Sequence, residues 1–162
     1  MPPISKARPA KRLRSETSRI DETDRRILIA LDEDARLSMP ELGRLVGLSP
    51  PSVTERVRRL TRTGVIRGFT IDVDLGVLGY GIQAMVRIRP LPGKLHIVQQ
   101  LIEERLAIIA CDKVTGDDPF LARLVVGSIE EMDEVLEALS EHATTSTMVV
   151  KAAAFRPRLP PL

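Results

Sequence analysis

One spacing restricts what this chain can fold into more than any other. In SMPELGRLVGLSPPSVTERVRRLTRTGVI, residues 38–66, two helical patterns stand with only Leu48 between the glycine that closes the first and the serine that opens the second. Ser38-Met-Pro-Glu41 has the capping-box spacing, and Leu42, Leu45 and Val46 supply an apolar stripe behind it. Gly47 follows the last stripe residue, where a left-handed backbone favours glycine. Ser49 then serves as N-cap with Pro50 in the first turn, where its missing N–H is not needed. Ser52-x-x-Glu55 is a second capping-box start, so this helix begins at either of two points one turn apart. Val53, Val57 and Leu60 face inward and Gly64 ends the run. Two helices joined this tightly make a helix-turn-helix pattern.

The flanks extend it. Asp21 or Thr23 can cap a helix whose buried face is Ile27, Leu28 and Leu31, and DEDARLS ends that helix. VIRGFTIDV reads as short extended pieces about Gly68, a small hairpin that would form a wing. From Gly79 onward the period changes. Ile82, Ala84, Val86 and Ile88 alternate as a strand; Leu95, Val98, Leu101 and Ile102 recur at helical spacing. AIIACDKVT and FLARLVVGS are apolar strands joined by GDDP. Ser128-Ile-Glu-Glu131 opens a helix with Met132, Val135, Leu136 and Leu139 inside, and TSTMVVKAA is a last strand. The order β-α-β-β-α-β is the split βαβ of ferredoxin-like domains.

The expected fold is therefore α+β: a winged helix-turn-helix domain at 20–72, a linker at 73–80, a ferredoxin-like sandwich at 81–156 and a short tail at 157–162. Residues 1–19 read as a disordered, Pro-rich basic tail. They hold six basic residues and one acidic, residues 20–72 hold nine of each, and residues 73–162 hold nine basic and twelve acidic. The net charge of +2 thus comes mostly from the tail, which reads as either a solvated end or an arm touching DNA. In the middle segment, local placement of charge decides.

With Val53, Val57 and Leu60 inside, Glu55, Arg58, Arg59 and Arg62 fall on the outer side of their helix, flanked by Ser52 and Arg56. Four arginines and one glutamate on one short exposed helix, preceded by a tight turn, point to double-stranded DNA. Ser49 and Ser52, with the free amides of the helix start, suit a phosphate or groove edge. Arg56 is assigned to base reading, Glu55 to accepting from a cytosine amino group, and Arg59 and Arg62 to phosphates.

Other chemistry finds little support. No Ser-His-Asp, Cys-His or paired-carboxylate arrangement suggests an enzyme, and no cofactor motif occurs. His96 and His142 sit on different elements without metal-ligand spacing and read as surface or helix-end residues. The single cysteine, Cys111, excludes an internal disulfide, reads as a small buried strand residue, and fits a reduced cytoplasmic setting. No apolar run approaches the ~18 residues of a membrane span.

The stretch IDETDRRILIALDEDARLSMPELGRLVGLSPPSVTERVRRLTRTGVIRGFTIDV, continued by KVTGD and the βαββαβ remainder, resembles the Lrp/AsnC (feast/famine) family of regulators. The resemblance covers about residues 20–155, and its pattern GLSPxxVxxRVxxLxxxGVIxG is specific. It implies sequence-specific transcriptional regulation, a homodimer assembling into larger particles, and a small effector such as an amino acid. It also implies a cytoplasmic, nucleoid-associated protein. The family's effector region includes a Gly-Asp-x-Asp turn, which here reads Gly116-Asp117-Asp118-Pro119, with proline at the second family aspartate and Asp118 one position out of register. Family positions in the last strand fall near Thr147, Met148, Val149 and Val150. For GDDP a plain β-turn is the competing reading, and for Met148 to Val150 it is strand packing. Two functions follow: a regulator responding to an effector, or an effector-independent DNA-compacting protein with a degenerate ligand site.

Overall fold

Asp21 starts the first helix, and the reason is local. Its carboxylate accepts from the Asp24 amide at 2.8 Å while the Asp24 carboxylate accepts from the Asp21 amide at 3.2 Å. Two of the orphan donors at a helix start are thereby satisfied. The chain is described from a computed structural model covering residues 20–155 and 157–162; the expected basic tail, 1–19, lies outside the described residues. It forms two units, one reaching to Thr70 and including Pro157–Leu162, the other Ile71–Arg156.

In the first unit, α1 (Glu22–Glu33), α2 (Met39–Val46) and α3 (Pro50–Arg62) enclose one core. Ile27, Leu28, Leu31, Leu42, Val46, Val53 and Leu60 are its buried members, with Val57 and Leu159 partly buried against them. Ser38 and Glu41 form the expected capping box, and Gly47 takes the left-handed conformation that ends α2. Ser49, not Ser52, caps α3, its hydroxyl accepting from the Ser52 amide. Arg26 of α1 donates to the Leu45 carbonyl at 2.8 Å, satisfying one exposed acceptor at the end of α2. The hairpin expected in VIRGFTIDV is not formed: residues 67–74 contain no strand. Alternation of Phe69, Ile71 and Val73 favours an extended backbone, but a strand exists only through a paired ladder, and the arms on either side of Gly68 are too short to supply one.

The second unit runs β1 (Ile82–Pro90), α4 (Leu95–Glu104), β2 (Ile108–Lys113), β3 (Phe120–Val126), α5 (Ile129–Ser140), β4 (Ala143–Val149). The antiparallel sheet has the order β2-β3-β1-β4, the arrangement of the split βαβ motif. The last strand begins two residues before the expected stretch and ends within it. Ala84, Val86, Ile88, Phe120, Ala122, Leu124 and Val126 line the face covered by Val98, Ile102, Met132 and Leu139 of the helices. Cys111, expected to be buried, is exposed. The cause is β2's place at the sheet edge: only Ile108 is partly covered there, and every later residue of the strand faces solvent.

Candidate nucleic-acid interface and effector turn

The second helix of the helix-turn-helix presents its N-terminal end through Ser49 and Ser52, whose hydroxyl oxygens lie 2.8 Å apart. Both are exposed, as are Glu55, Arg58 and Arg62 along the outward side. Arg58 donates to Glu55 at 2.8 Å, a solvent-exposed pair one turn apart. Such a pair is worth little in water, so both groups can be redirected cheaply toward a ligand.

Arg56 and Arg59 behave differently. Arg56 reaches back to α1 and donates to Asp21 at 2.6 Å and to Asp24 at 3.0 Å. Arg59 donates to both oxygens of Asp24, at 2.7 and 2.6 Å. Their side chains are only 30% and 29% exposed, against 69% for Arg58. Hydrogen bonding to Arg56 holds the Asp21 carboxyl below its ordinary range, and the carboxylates of Asp21 and Asp24 raise the Arg56 guanidinium. The expected assignments of Arg56 to base edges and Arg59 to phosphate therefore meet an arrangement in which both guanidiniums already face carboxylates. A wheel drawn on one helix places Arg56 on the flank; it does not show which neighbouring helix lies there. Arg58 was visible on the same wheel, and its exposure marks it as an outward-facing cation.

In the second unit, the turn between β2 and β3 closes with Val114 N–H donating to the Pro119 carbonyl at 3.0 Å, and Gly116 takes a positive φ of 114°. Asp117 points into solvent. Asp118 is 25% exposed and accepts from Arg89 Nε at 2.9 Å, with Arg87 Nε at 3.7 Å from its other oxygen. Arg89 also approaches Asp117 at 3.7 Å, and Arg87 donates to the Ser146 hydroxyl at 3.3 Å. Arg87 and Arg89 escaped the sequence reading; the signal was their two-residue spacing on one face of β1.

The other expected effector residues are not adjacent to this turn. Thr147 and Met148 lie on β4, which is separated from β3 by β1, about 10 Å at ordinary strand spacing. Thr147 pairs with Val86 and Met148 with Met85, so Thr147 points to the helix-covered face and Met148 to the other. Among the described residues no His/Cys/Asp/Glu group is arranged to hold a metal. His96 lies exposed on α4, and His142 follows α5 with its Nδ1 buried and without a hydrogen-bond partner among the described residues. No helix among the described residues is long and apolar enough to cross a membrane.

A helix-turn-helix whose second helix carries exposed arginines, joined to a ferredoxin-like unit, defines a two-module protein of the DNA-binding class. Comparison with known proteins makes this specific. Residues 20–67 match the winged helix-turn-helix DNA-binding family, and residues 83–158 match the Lrp/AsnC ligand binding domain. The chain is 33% identical over 132 residues to the HTH-type transcriptional regulator LrpC of Bacillus subtilis, covering 82% of this chain and 92% of LrpC. It is 35% identical over 138 residues to the HTH-type transcriptional regulator AldR of Mycolicibacterium smegmatis, covering 81% of each. The solved LrpC structure superposes with a TM-score of 0.80 at 32% identity, covering 85% of this chain and 98% of that one. A feast or famine regulatory protein of M. tuberculosis, solved with L-methionine, gives 0.80 at 25% identity, covering 87% and 98%. The chain belongs to the Lrp/AsnC family of transcriptional regulators, which are not enzymes.

Proposed function

We propose that this regulator binds specific DNA sites as a homodimer, through Ser49, Ser52, Glu55, Arg58 and Arg62 of α3, and that a small effector of amino-acid type modulates the binding. The observation that carries the DNA reading is the division on α3: Arg58 faces outward at 69% exposure while Arg56 and Arg59 are drawn onto α1. Arg58 and Glu55, released from each other, suit a guanine edge and a cytosine amino group; Arg62 suits phosphate. Two such helices would enter successive major grooves about 34–36 Å apart. Support for a second copy comes from the sheet face opposite α4 and α5. There Met85 and Leu121 are partly covered and Met148 is 48% exposed, with Arg87 and Arg123 on the same face.

The effector site is proposed at Gly116, Asp117 and Asp118 with Arg87 and Arg89, a cluster offering carboxylates to an ammonium and guanidiniums to a carboxylate. The L-methionine complex of the M. tuberculosis protein supports an amino acid as ligand class. Thr147 and Met148 would contribute through assembly rather than by reaching the turn within one chain. A second reading keeps its own support: Pro119 stands where the family carries aspartate, and Asp118 is already engaged by Arg89. These favour a degenerate site, and the reading that goes with it is effector-independent DNA compaction.

A nuclease footprint on the DNA upstream of the protein's own gene, with and without pooled amino acids, tests both. Discrete, helically phased protection that shifts with the pool supports the first reading. Phased protection indifferent to the pool removes the effector, and uniform coating with steep salt dependence leaves compaction.

A further inference from the structure

Asp24 is the one charged side chain among the buried residues described, at 0% exposure. It sits at the third position of α1, and its network exceeds what a helix cap needs. Reciprocal bonds with Asp21 complete the cap. Beyond these, the Asp24 carboxylate receives Arg56 at 3.0 Å and Arg59 at 2.7 and 2.6 Å, and Asp21 receives Arg56 at 2.6 Å. Two cations thirty-two and thirty-five residues away in sequence meet two anions on one helix end.

The arrangement has two physical consequences. Arg56 and Arg59 are one turn apart on α3, so binding both to one carboxylate fixes the rotation of α3 about its own axis relative to α1. Their charge is also matched within the protein. Of the four α3 arginines, Arg56 and Arg59 face Asp21 and Asp24, while Arg58 and Arg62 share the outer face with Glu55. A duplex approaching that face meets fewer available cations than the sequence contains. Because phosphate contacts are indifferent to sequence, each cation withheld lowers binding to every duplex, while base contacts are untouched.

We propose that Asp24 is a specificity-determining residue for DNA binding that touches no DNA: by holding Arg56 and Arg59 on α1 it keeps them from the phosphate backbone and sets the rotation at which Glu55 and Arg58 meet the bases. The inference rests on the DNA-binding reading above. It has a sign that a merely structural role lacks. Asp24→Asn keeps the shape but removes the charge that holds Arg59 and one of the two carboxylates that hold Arg56, so Arg59 becomes available to phosphates while Arg56 keeps its bond to Asp21. Binding to unrelated DNA then tightens, and the salt dependence steepens by about 0.9 in log–log slope for the arginine gained.

The experiment uses the full chain, a duplex bearing the footprinted site and a random duplex of equal length, titrated over a range of salt. Asp24→Asn is expected to bind the random duplex several-fold tighter with a steeper slope, and to lose several-fold in the ratio of specific to random affinity. Adding Arg56→Gln and Arg59→Gln should return the slope to its original value. Equal weakening on both duplexes at an unchanged slope would make Asp24 structural only and overturn the proposal. Should Asp24→Asn fail to fold by circular dichroism, Arg56→Gln and Arg59→Gln in the unaltered background decide: unchanged slopes uphold the proposal, and a slope reduced by about one places those arginines on phosphate and overturns it. No binding by the unaltered chain to either duplex would overturn the DNA-binding reading first, and this inference with it.

Discussion

Gly43 lies inside α2, where glycine costs about 1 kcal/mol of helix stability relative to alanine, yet replacing it should harm the protein. A Cβ at this position would stand 2.7 Å from the Leu48 carbonyl oxygen, a backbone atom, where ordinary contact begins near 3.4 Å. The helix and the turn after it must therefore part by about 0.7 Å, straining the bond from Leu48 N–H to the Gly43 carbonyl, now 2.8 Å. Forced overpacking of this kind costs about 1–3 kcal/mol, against which the gain in helix propensity is about 1 kcal/mol. The net for Gly43→Ala is a loss of about 1 kcal/mol.

The larger effect should fall on DNA. The turn after Gly43 sets the direction in which α3 leaves, so a shift there displaces every base contact on α3, and one lost bidentate contact costs about 1–3 kcal/mol, roughly tenfold or more in affinity. Gly47→Ala is the control: its φ of +73° makes alanine strained, but a Cβ there meets open space. That strain is about 1–2 kcal/mol without displacement of α3. Stability is best read by circular dichroism in urea, since the chain has no tryptophan, and affinity by fluorescence anisotropy with a labelled site. Gly43→Ala should lose at least tenfold in specific affinity at modest cost in stability; Gly47→Ala should lose stability and keep affinity within about twofold. The reasoning fails if Gly43→Ala is as stable as the parent chain and binds its site equally well.

Acid stability should carry the signature of Asp21. Its folded pKa is held below the ordinary 3.8, first by the Arg56 hydrogen bond, so its contribution is full above the unfolded value and is lost as pH falls through the lowered folded one. Asp21→Asn should flatten the stability profile below about pH 4, and identical acid slopes in the two proteins would refute the link. Leu159 is partly buried against the helix-turn-helix core, and Leu159→Ala should lower the stability of that unit by about 1–2 kcal/mol, less than a fully buried leucine. Deleting residues 157–162 should do the same, and an unmoved unfolding midpoint would dismiss the contact. Arg89→Gln removes the closest partner of Asp118; if the turn binds an effector carboxylate, calorimetric titration with the active amino acid should show at least tenfold weaker binding, whereas unchanged affinity would place the site elsewhere.

What could be read in advance divides by the distance over which each cause acts. Ser38 with Glu41, and Gly47, are settled within four residues, so that cap, the stripes and the helix-turn-helix were legible in one pass, while the start of α3 stayed open between Ser49 and Ser52 and the cap of α1 between Asp21 and Thr23. The order β-α-β-β-α-β followed from changes of period and led to the antiparallel sheet. Two errors arose where a local pattern needed a neighbour that the sequence does not name. Phe69, Ile71 and Val73 alternate as a strand should, but alternation supplies no ladder. Cys111 sits in an apolar run, but burial depends on whether the strand is central, and β2 is an edge.

The arginines of α3 illustrate the same limit at the site itself. Helical geometry separates inward from outward residues on one axis, and on that axis Arg56 and Arg59 look available to DNA. What the wheel omits is Asp24, which shares the buried face of α1 with Ile27, Leu28 and Leu31 and engages both guanidiniums. A carboxylate in that register was the available signal, because burying an unpaired charge is too costly to persist and a cation must come to it. An acidic residue on the inward stripe of one helix is thus a claim on a basic residue of another. On the reading proposed for Asp24, an estimate of DNA-facing charge made from α3 alone is reduced by the arginines that such a carboxylate engages.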